Sequence, residues 1–297
     1  MTERITMSHN KNAGFFDEKN KIEKGTLYLV ATPIGNLADL TERAAKVLSE
    51  VDFIAAEDTR NSLRLLTHLG ISKPMVSYFE HNKRERGTEI AARIAAGEAC
   101  ALITDAGTPA ISDPGEDIVA LCAERGIPVC SVPGPCAAIV ALTVSGLPTG
   151  RFCFEGFLST NKAERRKHLS LLKGETRTMI FHEAPHKLKG TLGDLAETFG
   201  AERPIALCRE LTKKNEEILR LTLGEAIAHY EASEPRGEYV LVLGGASEAT
   251  NAADWETVSV REHVERYEAE GMSRMDAIKA VARDRGVAKN VIYKEVL

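Results

Sequence analysis

The amino-acid sequence predicts an α/β protein with two domains. From Gly25 onward, short apolar runs rich in β-branched residues alternate with amphipathic helical stretches, which is the pattern of a largely parallel sheet with crossover helices. At 297 residues the chain is long enough for roughly two domains. A cluster of turn residues, Gly146, Pro148 and Gly150, marks the expected boundary between them.

The first domain is expected over residues 25–146 and is built on five predicted strands. Their sequences are TLYLVA, DFIAAED, MVSYF, ACALITD and VCSVP. The intervening helical stretches place apolar residues three or four positions apart, as at Ala44, Val47 and Leu48. Because a helical stretch separates most of these strands from the next, we expect the sheet to be largely parallel.

The second domain is expected over residues 151–245, and its strands follow one another more closely. Their sequences are FCFEGF, TMIFHEA, PIALCREL, EEILRLTL and EYVLVLGG. Helices are expected near Lys162–Leu172, Pro185–Phe199 and Glu225–Glu231. Short connections between several of the strands predict a mixed or antiparallel sheet.

Both ends of the chain are expected to lie outside these domains. Residues 1–24 have the composition of a loose polar tail, and a polar linker after Gly245 leads to a helical tail over residues 260–297. In that tail, Ala282, Gly286 and Ile292 have the spacing of a helix-turn-helix. A simple helical hairpin that caps the second domain fits the same pattern.

Composition narrows the class of protein. The net charge of -5 argues against a uniformly positive surface, so any RNA contact must be local, as at Lys83–Arg86 or Lys162–Lys173. Each of those stretches also fits a solvated helix face. No apolar run is long enough to span a bilayer, and the N-terminus lacks the apolar region of a secretory signal. Six cysteines without a C-x-x-C pair predict reduced thiols and a cytosolic location.

Three loops that follow predicted strands have the composition of a ligand site. The loop over residues 103–115, ITDAGTPAISDPG, contains two glycines, two prolines and five hydroxyl or carboxylate side chains. ATPIGNLADLT follows the first strand, with Thr41 as the expected cap of the next helix, and VPGPCAA follows the fifth. Since the carboxyl ends of parallel strands meet at one edge of a sheet, we expect the three loops to form one crevice.

The composition of these loops indicates what the crevice binds. No lysine or arginine lies in residues 103–115 or 131–138, and the first turn lacks the G-x-G-x-x-G pattern, which disfavours ATP and NAD. S-adenosylmethionine fits better, because backbone carbonyls and small side chains can hold adenosine and a sulfonium. No metal site is predicted, since His81, His182 and His186 lack ligand spacing with cysteines.

Taken together, these segments resemble the tetrapyrrole methylase superfamily. The resemblance runs from about Gly25 to Gly245 and rests on LYLVATPIGNLADLT, AEDTR, EHN, TDAGTPAISDPG, VPGPCAA, SGLP, FEGFL, IFHEAP, HKL and RELTK. Within the superfamily, the sequence is closely similar to the group that methylates a cytidine 2'-hydroxyl of small-subunit ribosomal RNA. The resemblance implies two α/β domains with S-adenosylmethionine in the cleft between them, and a homodimer.

The same resemblance assigns donor-binding residues in both domains. They are Pro33, Gly35, Asp105, Ala106, Gly107, Thr108, Ile111, Gly134, Cys136, Ala137, Phe181, Leu211 and Thr212. Two positions depart from the family pattern, with Cys136 in place of a serine and His182 in place of a tyrosine. Neither departure removes a charged group, so we expect them to affect only the detailed fit of donor and acceptor.

A ribose hydroxyl is a weak acid, so its methylation needs a group that accepts the proton. Four candidates lie at or just beyond the ends of predicted strands: Asp58, His81, Glu183 and Glu210. Each also has a structural interpretation. Asp58 can pair with Arg60, His81 can cap a helix or face solvent, and the two glutamates can hold their loops through backbone amides.

Cations near the same strand ends are expected to contact RNA phosphates. They are Arg60, Lys83, Arg84, Arg165, Arg166, Lys167, His186, Lys187, Arg209 and Lys213. Two other functions stay open, namely C-methylation of a tetrapyrrole and an RNA-binding or assembly role without catalysis. The AEDTR and RELTK elements and the helical tail favour RNA methylation.

Overall fold

The computed structural model describes residues 21–246, 258–269 and 271–296. The chain divides into two units, of which the first comprises the residues up to Ala141 together with Arg209–Glu217. The second comprises Leu142–Cys208 and the residues from Ile218 onward. Most of the expected N-terminal tail and of the polar linker after Gly245 lies outside the described residues. Within the described ranges, no helix is long and apolar enough to cross a membrane.

The first unit contains a five-stranded sheet with parallel pairings throughout, as the sequence predicts. The strands are β1 (Leu27–Val30), β2 (Phe53–Ala56), β3 (Met75–Ser77), β4 (Cys100–Ile103) and β5 (Val129–Val132). The helices are α1 (Glu42–Glu50), α2 (Thr59–His68), α3 (Lys83–Ala95), α4 (Glu116–Glu124) and the start of α5 (Ala137–Val144), which continues into the second unit. The strand order is β3-β2-β4-β1-β5, which places β1 and β4 next to each other.

Both faces of this sheet are covered by helices. Along β4, Ala101 and Ile103 belong to one apolar cluster, which includes residues of α1 and α2. Cys100 and Leu102 belong to a second cluster, which includes residues of α3 and α4. Because successive side chains of a strand point to opposite faces, this division explains why β4 is apolar at every position. The carboxyl ends of the strands are left for loops.

The second unit contains a mixed sheet, which confirms the prediction from its short connections. Its strands are β6 (Phe152–Phe157), β7 (Thr178–Glu183), β8 (Pro204–Arg209), β9 (Glu217–Thr222) and β10 (Tyr239–Leu243). The strand order is β6-β7-β10-β8-β9, with β6 and β7 parallel and β7 and β10 antiparallel. The strand predicted to run through Leu211 ends at Arg209 instead, since Glu210 has a positive φ of 52°.

Helices cover one face of this sheet and also form the C-terminal part of the unit. Side chains from α6 (Lys162–Leu171), α7 (Pro185–Phe199) and α8 (Leu223–Glu231) pack with alternate residues of the strands in one core. After the linker, α9 (Val260–Ala269), α10 (Arg274–Asp284) and α11 (Lys289–Val296) share a separate apolar core. Phe181 of β7 is fully buried in the core beneath α7.

Candidate functional site

The loops after β1 and β4 are joined at the carboxyl edge of the parallel sheet. The backbone N–H of Thr32 donates to the Gly107 carbonyl at 2.9 Å, and the N–H of Gly107 donates back to the Thr32 carbonyl at 3.0 Å. The Thr32 hydroxyl also donates to the Thr104 carbonyl at 3.2 Å. Two of the three loops expected to share a crevice therefore lie together, at the position where ligands bind in open α/β sheets.

The loop after β5 is attached to the loops after β1 and β4. The Thr108 hydroxyl donates to the Pro135 carbonyl at 2.8 Å. Gly134 lies so close to the first loop that a Cβ on it would be 2.8 Å from the Ala31 Cβ, and Gly107 has a positive φ of 82°. Glycine is therefore required at these contacts, either for space or for conformation. The convergence of the three predicted loops is confirmed.

A fourth loop, between β8 and β9, also reaches this edge and belongs to the first unit. A Cβ on Gly35 would lie 2.4 Å from the Lys213 Cγ, 3.0 Å from the Thr212 Oγ1 and 3.3 Å from the Leu211 carbonyl oxygen. The structure therefore brings Leu211 and Thr212 to the turn around Gly35. All three of these residues are among the expected donor-binding positions.

Backbone strain is concentrated in these loops. Among the described residues, every non-glycine residue with a positive φ lies in the loop after β4 or in the loop after β8. These residues are Ala110 (68°), Ser112 (64°), Glu210 (52°) and Thr212 (65°). Such conformations are unfavourable for residues with a Cβ and persist where the surrounding structure enforces them, which is typical of ligand-binding sites.

The edge of the sheet is acidic. Burial, together with the charges of Glu57 and Asp105, raises the pKa of Asp113 to about 6. Burial also raises the pKa of Glu57, and the charges of Asp105 and Asp58 add to the effect. The backbone N–H of Asp105 donates to Glu57 at 3.4 Å, so the carboxylates are neighbours. The loops after β1, β4 and β5 contain no lysine or arginine, so this edge favours a cationic ligand over an anionic one.

Asp113 was not among the catalytic residues that the sequence predicts. It lies in the loop after β4, whose unusual composition points to a ligand site, but its burial depends on tertiary packing. A carboxyl with a pKa near the working pH can accept a proton and release it again. Asp113 is therefore a further candidate for the proton acceptor.

Two of the four predicted catalytic residues are held in ion pairs. Asp58 caps α2 and pairs with Arg60, whose Nη2 lies 2.7 Å from the Asp58 Oδ2. The hydrogen bonds from Arg60 lower the pKa of Asp58 to about 2. Glu210 pairs with Lys213 at 2.9 Å. The structural interpretation of Asp58 therefore matches its contacts, and a carboxylate with so low a pKa is a weak base.

The other two predicted catalytic residues differ in burial. His81 is exposed, and its ring meets that of Phe79 edge-on. Glu183 belongs to the second unit and is only 4% exposed. Its carboxylate accepts hydrogen bonds from the Thr191 hydroxyl and from the backbone N–H of Ala184 at 2.8 Å. Within the second unit, these two hydrogen bonds give Glu183 the loop-holding role that its structural interpretation predicts.

Six of the ten cations expected to bind RNA are already in ion pairs. They are Arg60 with Asp58, Lys83 with Glu80 and Asp117, Arg165 with Asp194, Arg166 with Glu197, Arg209 with Glu217 and Lys213 with Glu210. Arg165 also donates to the Ser159 carbonyl at 3.0 Å, so it holds the loop before α6. Of the remaining four, His186 and Lys187 line a cavity of about 240 Å³ at the start of α7, and Arg84 and Lys167 lie on α3 and α6.

The two departures from the family pattern have different surroundings. Cys136 is half-buried in the loop after β5. His182 lies between the rings of Phe154 and Phe157, both in edge-on contact, and burial lowers its pKa. Burial beside these aromatic rings in the second unit therefore disfavours the protonated form of His182. Phe181, expected to contact the donor, has its ring in the core of that unit.

Comparison with known proteins assigns this chain to one family. The sequence profile of the Tetrapyrrole (Corrin/Porphyrin) Methylases matches residues 26–227. The chain is 48% identical over 273 residues to the ribosomal RNA small subunit methyltransferase I of Halalkalibacterium halodurans, covering 91% of this chain and 94% of that protein. It is 46% identical over 270 residues to the protein of the same name from Synechocystis, covering 91% and 96%.

Solved structures with the same fold are more distant in sequence. A uroporphyrin-III C-methyltransferase from Thermus thermophilus has a TM-score of 0.54 and 22% identity, covering 74% of this chain and 94% of that one. A structure of the same named enzyme complexed with S-adenyl homocysteine has a TM-score of 0.50 and 20% identity, covering 74% and 97%. At these identities the likeness concerns the fold alone.

Proposed function

We propose that this chain, which belongs to the tetrapyrrole methylase family, uses S-adenosylmethionine to methylate small-subunit ribosomal RNA. Relatives that match over more than nine-tenths of both chains carry that name. The uroporphyrin-III C-methyltransferase shares only the fold, at 22% identity. No feature of the described residues favours a tetrapyrrole substrate or a purely structural role in RNA binding.

The observation that carries the proposal is the cluster of four loops at the edge of the parallel sheet. Hydrogen bonds between Thr32 and Gly107 and between Thr108 and Pro135 fix three of them. The fourth packs against Gly35. A rigid backbone lining of this kind suits a ligand that is recognised through peptide groups and van der Waals contacts.

The charges at this edge fit the methyl donor. When bound, S-adenosylmethionine supplies an electrophilic methyl group on a positively charged sulfur. Glu57, Asp105 and Asp113 create negative potential beside the loops, which attracts a sulfonium and repels a phosphate. Lys213, which packs on Gly35, is paired with Glu210.

We propose a cytidine ribose 2'-hydroxyl as the acceptor, as the family resemblance implies. Transfer to oxygen is an in-line displacement, so the chain contributes mainly by holding the hydroxyl in line with the methyl group. The hydroxyl proton must pass to a base. Asp113 fits this role better than Asp58, since the pKa of Asp113 is about 6 and that of Asp58 is about 2. His81, Glu183 and Glu210 stay candidates.

The direct test is methylation by the purified chain. Small ribosomal subunits that lack this methylation are incubated with S-adenosylmethionine, and the RNA is digested and mapped by mass spectrometry. We expect one added methyl group on a ribose of the small-subunit RNA. Absence of product, together with no calorimetric binding of S-adenosylhomocysteine, would overturn the proposal. Methylation of uroporphyrinogen instead would favour the tetrapyrrole alternative.

We also propose that the chain acts as a homodimer in the cytoplasm. The family resemblance supports the dimer, and a ribosomal substrate supports the location. Light scattering of the purified protein should give twice the mass of 32.4 kDa. A monomer at assay concentration would contradict this part of the proposal.

A further inference from the structure

The three C-terminal helices, which belong to the second unit, share a small apolar core of their own. Val264 of α9, Ile278 and Val281 of α10, and Ile292 and Val296 of α11 are all buried together. His263 is also buried, and its ring stacks on that of Tyr267. None of these helices contributes a residue to the loop cluster, so their function needs a separate explanation.

The connection between α10 and α11 is a tight turn. At the end of α10, the N–H of Val287 donates to the Ala282 carbonyl at 2.9 Å, and that of Gly286 donates to the Arg283 carbonyl at 3.2 Å. Gly286 has a φ of 60°, so it ends the helix in the left-handed conformation that glycine favours. Ala282 and Ile292 are buried on the two helices, as both a helix-turn-helix and a simple helical hairpin require.

The sequence of this helix pair is basic, although the chain as a whole has a negative net charge. Residues 274–296 contain six basic and three acidic side chains, a net charge of +3, whereas the whole chain has a net charge of -5. Three of the basic side chains are used internally. Arg274 pairs with Glu268, Lys279 pairs with Asp276, and Arg285 donates to the Val258 carbonyl at 2.7 Å.

The other three cations are exposed and form no ion pair with any residue that the structure describes. They are Arg283 at the end of α10 and Lys289 and Lys294 on α11. Asn290 and Tyr293 follow Lys289 and precede Lys294 on the same helix, and both are exposed, Tyr293 by 43%. Cations beside an exposed aromatic ring are a combination that binds phosphates and stacks unpaired bases.

We propose that these five residues, Arg283, Lys289, Asn290, Tyr293 and Lys294, form an RNA-binding surface, which we call the α10–α11 surface. The three cations contact phosphates, and Tyr293 stacks on an unpaired base. RNA is favoured over a protein partner because the positive charge is local to this surface in an acidic chain. The identification of the RNA as ribosomal rests on the proposed function.

Binding of a small-subunit ribosomal RNA transcript to the full chain tests the phosphate contacts. Each phosphate contact that a variant removes lowers the slope of log affinity against log salt by about 0.7 to 0.9. For Arg283→Gln/Lys289→Gln/Lys294→Gln, we expect the slope to fall by about 2 to 3. When salt is raised from 50 to 200 mM, the triple variant should lose affinity by a factor that is about 20- to 40-fold smaller than the factor for the wild type.

A matched control variant distinguishes the contribution of these three cations from the effect of lowering the net charge of the whole chain. Arg64→Gln/Arg125→Gln/Arg151→Gln removes three exposed arginines elsewhere on the chain, and it should leave the slope unchanged. Tyr293→Leu tests the base contact, and we expect a loss of about fivefold or more with the slope retained. Circular dichroism should show unchanged helix content in all three variants.

The outcomes also separate this inference from the proposed function. An unchanged slope for the folded triple variant would overturn the inference, even if the wild type methylates ribosomal RNA. A loss of affinity for intact small subunits without any loss for the bare transcript would indicate a protein partner and would also overturn it. S-adenosylhomocysteine binding, measured by calorimetry, should be the same in every variant, because none of the substitutions lies in the loop cluster.

Discussion

Replacing Asp113 by asparagine should stabilise the fold at neutral pH and reduce methyl transfer. Burial, together with the charges of Glu57 and Asp105, raises the pKa of Asp113 from 3.8 to about 6. Because the folded-state pKa of this acid is the higher one, ionisation costs more free energy in the folded than in the unfolded state. The stability that the neutral carboxyl provides is therefore present below pH 3.8 and is lost as the pH rises through about 6.

The difference between the two pKa values corresponds to about 3 kcal/mol. Asp113 is partly exposed, so solvent screening reduces the expected effect to about 1–2 kcal/mol. The asparagine variant carries no charge at any pH. Its free energy of unfolding should exceed that of the wild type by about 1–2 kcal/mol at pH 8 and by much less at pH 4.

Urea denaturation of both proteins at pH 4, 6 and 8 measures this difference. Glu124→Gln, on the exposed end of α4, is the matched control and should show no such pH dependence. Methylation at saturating RNA should fall in the Asp113 variant, because the proton acceptor that we propose is lost while the fold is more stable. A stability difference that does not change with pH would refute the reasoning, since the Asp113 charge would then be compensated in the folded state.

Three further substitutions test the loops and the second unit. Thr108→Val removes the hydrogen bond to Pro135 and should weaken S-adenosylhomocysteine binding by about fivefold in calorimetry; unchanged affinity would count against the loop cluster as the donor site. Gly35→Ala should lower the free energy of unfolding by about 1–3 kcal/mol, because the added Cβ meets the fourth loop. Gly190→Ala, in open space on α7, is its control and should be neutral or stabilising. Arg165→Ala should destabilise the second unit by about 1–3 kcal/mol through loss of its partly buried ion pair, with an unchanged salt slope for RNA binding; a reduced slope would show instead that Arg165 contacts phosphates.

Local patterns in the sequence were enough to predict both sheets and three of the four loops. The alternation of apolar runs with helical stretches determines a parallel sheet, and the glycines and prolines after β1, β4 and β5 lie where such a sheet collects its ligand loops. These features depend on residues near one another in the chain. They can therefore be predicted without knowledge of distant contacts.

Features that depend on distant residues were harder to predict. The cations Arg165 and Arg166 have the pattern of an RNA contact, but their partners Asp194 and Glu197 lie in a different helix, and only the folded chain brings them together. The burial of Asp113 beside Glu57 likewise results from tertiary packing. The family resemblance indicated Leu211 as a donor contact, although local periodicity extended β8 through it.

The loop between β8 and β9 gives the first unit a discontinuous sequence. Arg209–Glu217 belongs to that unit, yet all of Leu142–Cys208 precedes it in the chain. During synthesis, the parallel sheet can form once β5 has emerged, but one wall of the ligand edge is still missing until much of the second unit has been made. A nascent chain that ends before Arg209 therefore has a folded sheet without the fourth loop, so the donor site that we propose is completed late in translation.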